Sequence, residues 1–188
     1  MKKNIFAIAS LLLVGCGLCF GQAKKSGEDL QYKLLATTKT STMQEELDET
    51  AAKGYRILVG SPTSGSEMAI FLSREATPEN PYQYKLLATN RTGTMQKELN
   101  EAAAQGFRLL PRTTIAKKQA ITGFVEIVMV LEKPPVSDKK YDYKLLATTL
   151  TSTLQKEVTD AQNAGYVIIG MVSRGEHMVF MEREGSAK

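Results

Sequence analysis

The chain has 188 residues, 43% of them hydrophobic and 23% charged, which is ordinary globular composition and excludes a disordered or fibrous protein. Its 24 Lys and Arg stand against 20 Asp and Glu, with the signs interspersed, so a nucleic-acid-binding surface has no support. A chain of this size is long enough to bury a real core, and only the leader described next is apolar over a membrane-spanning length.

The first segment, MKKNIFAIASLLLVGCGLCFGQA, has the form of an export leader. Lys2 and Lys3 precede an uncharged apolar run to Phe20, and small residues at Gly21 and Ala23 offer a cleavage site before Lys24. We read residues 1–23 as a signal peptide and the mature protein as periplasmic or secreted, with no membrane span after processing. The alternative is cleavage inside LVGC, leaving an acylated Cys16 that anchors the protein in the envelope. Cleavage after Ala23 removes both cysteines, Cys16 and Cys19, and leaves no lone thiol in an oxidising compartment. It also removes two lysines and no acid, so the net charge falls from +4 to +2.

The mature region then opens on YKLLAT at 32–37, a phrase that returns at 84–89 and 143–148. Each occurrence predicts a strand, because the residues are β-compatible and carry no helical stripe. Adjacent leucines (Leu34/Leu35, Leu86/Leu87, Leu145/Leu146) point to opposite faces, which predicts burial on both sides. A polar step follows each strand, then a helix of about eleven residues with one narrow apolar stripe. That stripe is Met43, Leu47 and Ala51 in the first copy; Met95, Leu99, Ala102 and Ala103 in the second; and Leu154, Val158 and Ala161 in the third. Ser41 with Gln44, and Ser152 with Gln155, fit a capping box, and Gly93 with Gln96 is a weaker version. Gly54, Gly106 and Gly165, each followed by an aromatic, predict left-handed helix ends. A second strand, a hairpin and a third strand closing on Arg74, Lys133 or Arg183 complete each copy. Pro78, Pro81, Pro134 and Pro135 mark stiff linkers between copies.

The expected fold class is therefore α+β: three tandem β-α-β-β repeats at 30–75, 82–133 and 141–184, each a three-stranded sheet with one helix packed on it. Units of about 50 residues are marginal alone, so the copies are expected to pack into one body. The unit resembles a small bacterial domain-of-unknown-function family, number 4177. That family's pattern is an opening Y-K, a helix ending L-N-x-x-A-x-x-G, an aromatic, a strand and a closing R after a hairpin. Tyr84, Lys85, Leu99, Asn100, Ala103, Gly106 and Phe107 of the second copy carry the likeness. The other copies put Asp48 and Thr159 in place of Asn, and the chain has no Trp, which the family usually places after the Gly. The resemblance implies a fold and no activity.

Chemistry is sparse. His177, the only histidine, would serve as a general base beside Glu176 in a hydrolase-type reading, but no nucleophile stands at a recognisable spacing. With one His and no mature Cys, a common zinc site is excluded, and no cofactor is expected. Glu46, Glu98 and Glu157 recur on the helices, either as first-turn acids or as oxygen ligands for a cation at a shared site. The threonine-rich steps, with Thr42, Thr94 and Thr153, either cap helices or present hydroxyls and helix N-termini to a small ligand. The long insertion TTIAKKQAITG predicts an exposed loop in which Lys117 and Lys118 would meet a partner. The favoured function is a non-enzymatic interaction module of the bacterial envelope, meeting an unidentified envelope protein through loops or a sheet edge. The alternatives are a small-molecule or ion binder at converging helix N-termini, and an enzyme.

Overall fold

The computed structural model describes residues 30–185 apart from 64, 76–78 and 120; the leader, Cys16 and Pro78 lie outside that range. It is a mixed α+β structure with three helices and three antiparallel sheets. The first sheet holds β1 (Tyr32–Thr37), β2 (Tyr55–Pro62) and β3 (Met68–Arg74), with α1 (Thr40–Ala52) between β1 and β2. The second holds β4 (Gln83–Thr89), β5 (Arg108–Leu109), β6 (Ile115–Lys118) and β7 (Val125–Lys133), with α2 (Thr92–Ala104) after β4. The third holds β8 (Lys140–Thr148), β9 (Val167–Ser173) and β10 (His177–Gly185), with α3 (Thr151–Asn163) after β8.

In every sheet the last strand is central. β3 lies between β1 and β2, β7 between β4 and β5, and β10 between β8 and β9. The opening strand thus pairs with the closing one, an arrangement the sequence left open. The second sheet departs from the expected three strands. Pro111 has no N–H to give to the ladder, so β5 stops at Leu109 and a 3-10 turn, Pro111–Thr113, interrupts the edge. The Thr113 hydroxyl fills the gap by accepting the Val130 N–H at 3.0 Å, and pairing on β7 resumes with β6.

The helices end as expected. Gly54, Gly106 and Gly165 have φ of 81°, 91° and 87°, and Phe107 and Tyr166 N–H groups fold back to Ala102 and Ala161. The closing basic side chains then cover the aromatics that follow: Arg74 over Tyr55, Lys133 over Phe107 and Arg183 over Tyr166. The helix starts differ from expectation. Helical residues begin at Thr40, Thr92 and Thr151, so Ser41 and Ser152 lie inside the first turn and no side chain caps any of the three. The last threonine of each opening strand organises the entry instead. Thr37, Thr89 and Thr148 hydroxyls accept the N–H two residues on, a hydroxyl-closed turn.

Layers alternate along the molecule: first sheet, α1, second sheet, α2, third sheet, α3. α1 touches β1 and β2 on one side and β4 on the other; α2 touches β4 and β5, then β8. A 13-residue helix is marginal in isolation, and burial between two sheets is what holds it. Met43, Leu47, Ile57, Ile70 and Leu72 share one core with Tyr84, Val128 and Val130 across the layer boundary. Met95, Leu99, Leu109, Met129 and Leu131 share the next with Tyr143, Leu145 and Phe180. Leu86 therefore packs toward α1 and Leu87 toward α2, while Leu145 packs toward α2 and Leu146 toward α3. Leu35 packs on α1, but Leu34 is 50% exposed, because nothing among the described residues covers that side of the first sheet.

Candidate interaction surface

Two networks of one design join successive layers. At the first, the Tyr84 hydroxyl accepts the Ile57 N–H at 3.2 Å and donates to Glu132 at 3.3 Å. Arg56 grips the same carboxylate through Nε and Nη2 at 3.1 and 2.8 Å, with its guanidinium 4.4 Å from the centre of the Tyr82 ring. At the second, the Tyr143 hydroxyl accepts the Leu109 N–H and donates to Glu182, both at 2.8 Å. Arg108 grips Glu182 at 3.1 and 2.8 Å and lies 4.7 Å from the Tyr141 ring centre. Burial pushes both tyrosine hydroxyls well above the ordinary phenol range; the backbone N–H opposes this and the adjacent carboxylate adds to it. The bond to Glu132 or Glu182 likewise raises each guanidinium.

The helical glutamines make a second kind of joint. β4 and β8 are edge strands, whose outward carbonyl and N–H groups need partners. Gln44 Nε2 donates to Tyr84 O at 3.0 Å and its Oε1 accepts the Leu86 N–H at 2.8 Å. Gln96 does the same to Tyr143 O at 2.7 Å and to the Leu145 N–H at 2.6 Å. A primary amide offers one donor and one acceptor side by side, which matches a strand edge. Asn100 adds another such pair, to the Tyr143 N–H and carbonyl. Gln44 and Gln96, two of the three glutamines expected in capping boxes, are thus joints between layers.

Both ends of the stack lack these partners among the described residues. On the first sheet, Leu34 pairs in register with Phe71 as Leu86 does with Val130 and Leu145 with Phe180. The inner examples are covered, whereas Tyr32, Leu34 and Phe71 are 60%, 50% and 47% exposed. At the other end, Ile168 occupies the place of Ile57 and Leu109 yet is 57% exposed. Val158, Gln162, Tyr166, Val167, Ile168 and Met181 line a largely apolar cavity of about 200 Å³ there, with Gln162 in the place of Ala51 and Ala103. Ser73 stands where Glu132 and Glu182 stand, and Val167 where Arg56 and Arg108 stand.

The residues singled out in the sequence do not gather. Thr42 and Thr153 are half-buried and Thr94 is exposed. Glu46 lines a cavity with Lys33, Leu34 and Thr50; Glu98 lines another with Thr40, Gln44 and Leu86; Glu157 lines neither. None of the three glutamates is a first-turn acid, since the helices start earlier than expected. Among the described residues no group of three His, Cys, Asp or Glu could hold a metal ion. Lys117 is not in a loop. It is buried in β6, bonded at 2.7 Å to buried Glu126, and its Nζ donates to Thr38 O across the layer boundary. Lys118 is exposed at the end of that strand. His177 opens β10, half-buried, and lines none of these cavities.

A cleft of about 370 Å³ lies over the two networks, lined by Arg56, Arg108 and Arg112 with Glu132 and Glu182. The carboxylates already engage two of its arginines, and Arg112 donates to Ile57 O. Sequence reasoning overlooked Arg56, Arg108, Glu132 and Glu182. Comparing the three helix ends could have found the arginines, because Arg follows the glycine–aromatic pair twice but not a third time. No helix among the described residues is long and apolar enough to cross a membrane. No family model, curated protein or solved structure matches the chain.

Proposed function

We propose that this is an exported, non-enzymatic interaction module of the bacterial envelope that binds a protein partner through the outer face of its first sheet. We further propose that it arose by threefold duplication of a β-α-β-β unit akin to family 4177. The supporting observation is the exposure of Tyr32, Leu34 and Phe71, whose counterparts in the other two sheets are core residues. Stacked-repeat proteins keep their terminal faces polar for solubility, so an apolar terminal face marks a contact surface. The separate placement of Glu46, Glu98 and Glu157 favours this reading over a ligand site at the helix N-termini. The position of His177 outside the described cavities favours it over an enzyme.

Export is carried by residues 1–23, and mass spectrometry of the processed N-terminus tests it: Lys24 or an acylated Cys16 supports it, and an intact Met1 refutes it. The surface is tested with a photo-reactive amino acid at position 71 in living cells, with position 156 on the exposed side of α3 as the control. A covalent adduct at 71 but not at 156 is expected. Equal labelling, or none, overturns the reading.

A further inference from the structure

We propose that the partner of this face is the other end of a second copy of the same chain, giving head-to-tail self-association; this rests on the interaction-surface reading above. The molecule itself supplies the template. Twice, a sheet face carrying an opening tyrosine and leucine is covered by the preceding helix and second strand. Those covering elements contribute two apolar helix positions, a glutamine and the strand residue whose N–H meets the tyrosine: Met43, Gln44, Leu47 and Ile57, then Met95, Gln96, Leu99 and Leu109.

The last layer presents the same set with none of the described residues over it. Leu154 and Val158 are only half-buried, and Ile168 is exposed. Gln155 is exposed and donates only to Thr159, on its own helix, at 3.4 Å, rather than to a strand edge. The cavity beside Val158 and Ile168 occupies the position that Tyr84 and Tyr143 fill in the two inner joints, and is large enough for one aromatic side chain. Tyr32, exposed at the opposite end, is the residue that would enter it.

The charges agree. In a head-to-tail contact Val167 of one copy would face Ser73 of the next, the places held inside the chain by Arg56 with Glu132 and by Arg108 with Glu182. Had only one partner been replaced, the contact would strand a charge. Both are replaced, so the joint between copies strands no charge. Such a contact is heterologous: each copy keeps a free head and a free tail, and assembly continues into short filaments or closes into a ring.

Sedimentation velocity on the processed chain tests this. The average mass should rise with concentration and be unchanged at about 1 M NaCl, where exposed ion pairs are screened. Leu34→Glu blocks the head and Ile168→Glu blocks the tail. Both sites are half or more exposed, so each variant should keep wild-type thermal stability while sedimenting as a monomer. Mixed in equal amounts, the two should form a one-to-one dimer through their remaining free ends. Self-association by Ile168→Glu alone, a mixture that stays monomeric, or dissociation by salt would each overturn the proposal. A wild-type chain monomeric to about 1 mM (a binding free energy weaker than roughly −4 kcal/mol) would do so as well. If that chain still gives an adduct with a different protein at position 71, only self-association falls; with no adduct, the interaction surface falls too.

Discussion

Replacing Tyr143 by Phe removes one oxygen atom, yet that atom holds two layers together. The ring is 2% exposed, and its hydroxyl bridges the Leu109 N–H and the Glu182 carboxylate, both at 2.8 Å. Phe keeps the apolar packing. It leaves the Leu109 N–H buried without its partner, at a cost of about 1–3 kcal/mol, and takes a charged hydrogen bond worth about 1.5–3 kcal/mol from Glu182. Arg108 still grips that carboxylate, so the two losses do not add in full, and we expect a net loss of about 3 kcal/mol. For a chain of this size that lowers Tm by roughly 6–12 °C. Urea denaturation of the processed chain measures it, with Tyr32→Phe as the control. Tyr32 is followed by the same KLLAT but is exposed, so its change should stay within about 0.5 kcal/mol. Tyr84→Phe should fall between them, at about 1–2 kcal/mol, because its two bonds are longer, at 3.2 and 3.3 Å. Equal stabilities for Tyr143→Phe and Tyr32→Phe would refute the reasoning.

The raised tyrosines also predict alkaline sensitivity. An unfolded phenol ionises near pH 10, while Tyr84 and Tyr143 stay protonated in the fold, so stability is intact below about pH 10 and falls as pH rises above it. Each contributes about 1 kcal/mol between pH 10 and 11, and Tyr166, also raised by burial, adds to the fall, so Tyr143→Phe should make the decline seen in urea melts over that range shallower by about 1 kcal/mol. Gln96→Ala removes both bonds to the β8 edge and should cost about 1–2 kcal/mol, whereas Gln155→Ala should leave the dilute chain within about 0.5 kcal/mol of wild type by the same melts. Lys117→Met strands the buried Glu126 carboxylate and should cost about 3 kcal/mol; adding Glu126→Leu should restore most of it in a double-mutant cycle.

Local signals in the sequence were read correctly where a short stretch decides the outcome. Gly54, Gly106 and Gly165 end helices because each must take positive φ, and no distant residue alters that. The paired leucines of the opening strands did face two ways, and in the second and third sheets both sides are covered. What failed depended on distant partners. Gln44 and Gln96 match a capping box in sequence, but their amides are used by strands more than forty residues away. Lys117 reads as a loop lysine in KKQA, yet Pro111 breaks the strand early enough for β6 to form and bury it beside Glu126. The choice of β3, rather than β2, as the neighbour of β1 is likewise non-local. The network arginines and glutamates had a visible trace, since each is missing from one of the two outer sheets, but that pattern has meaning only once the layers are seen to stack.

The proposed contact requires that one face, closed twice inside the molecule, stands open on the first sheet until a partner covers it. Amide hydrogen exchange by NMR addresses it at three positions that share one register: Leu34, Leu86 and Leu145. In dilute solution the Leu86 and Leu145 amides, bonded to Gln44 and Gln96, should exchange slowly and the Leu34 amide fast. At concentrations where the chain associates, Leu34 should slow toward the other two. A Leu34 amide already protected in the dilute monomer, or one that stays fast once the chain has assembled, would contradict the account.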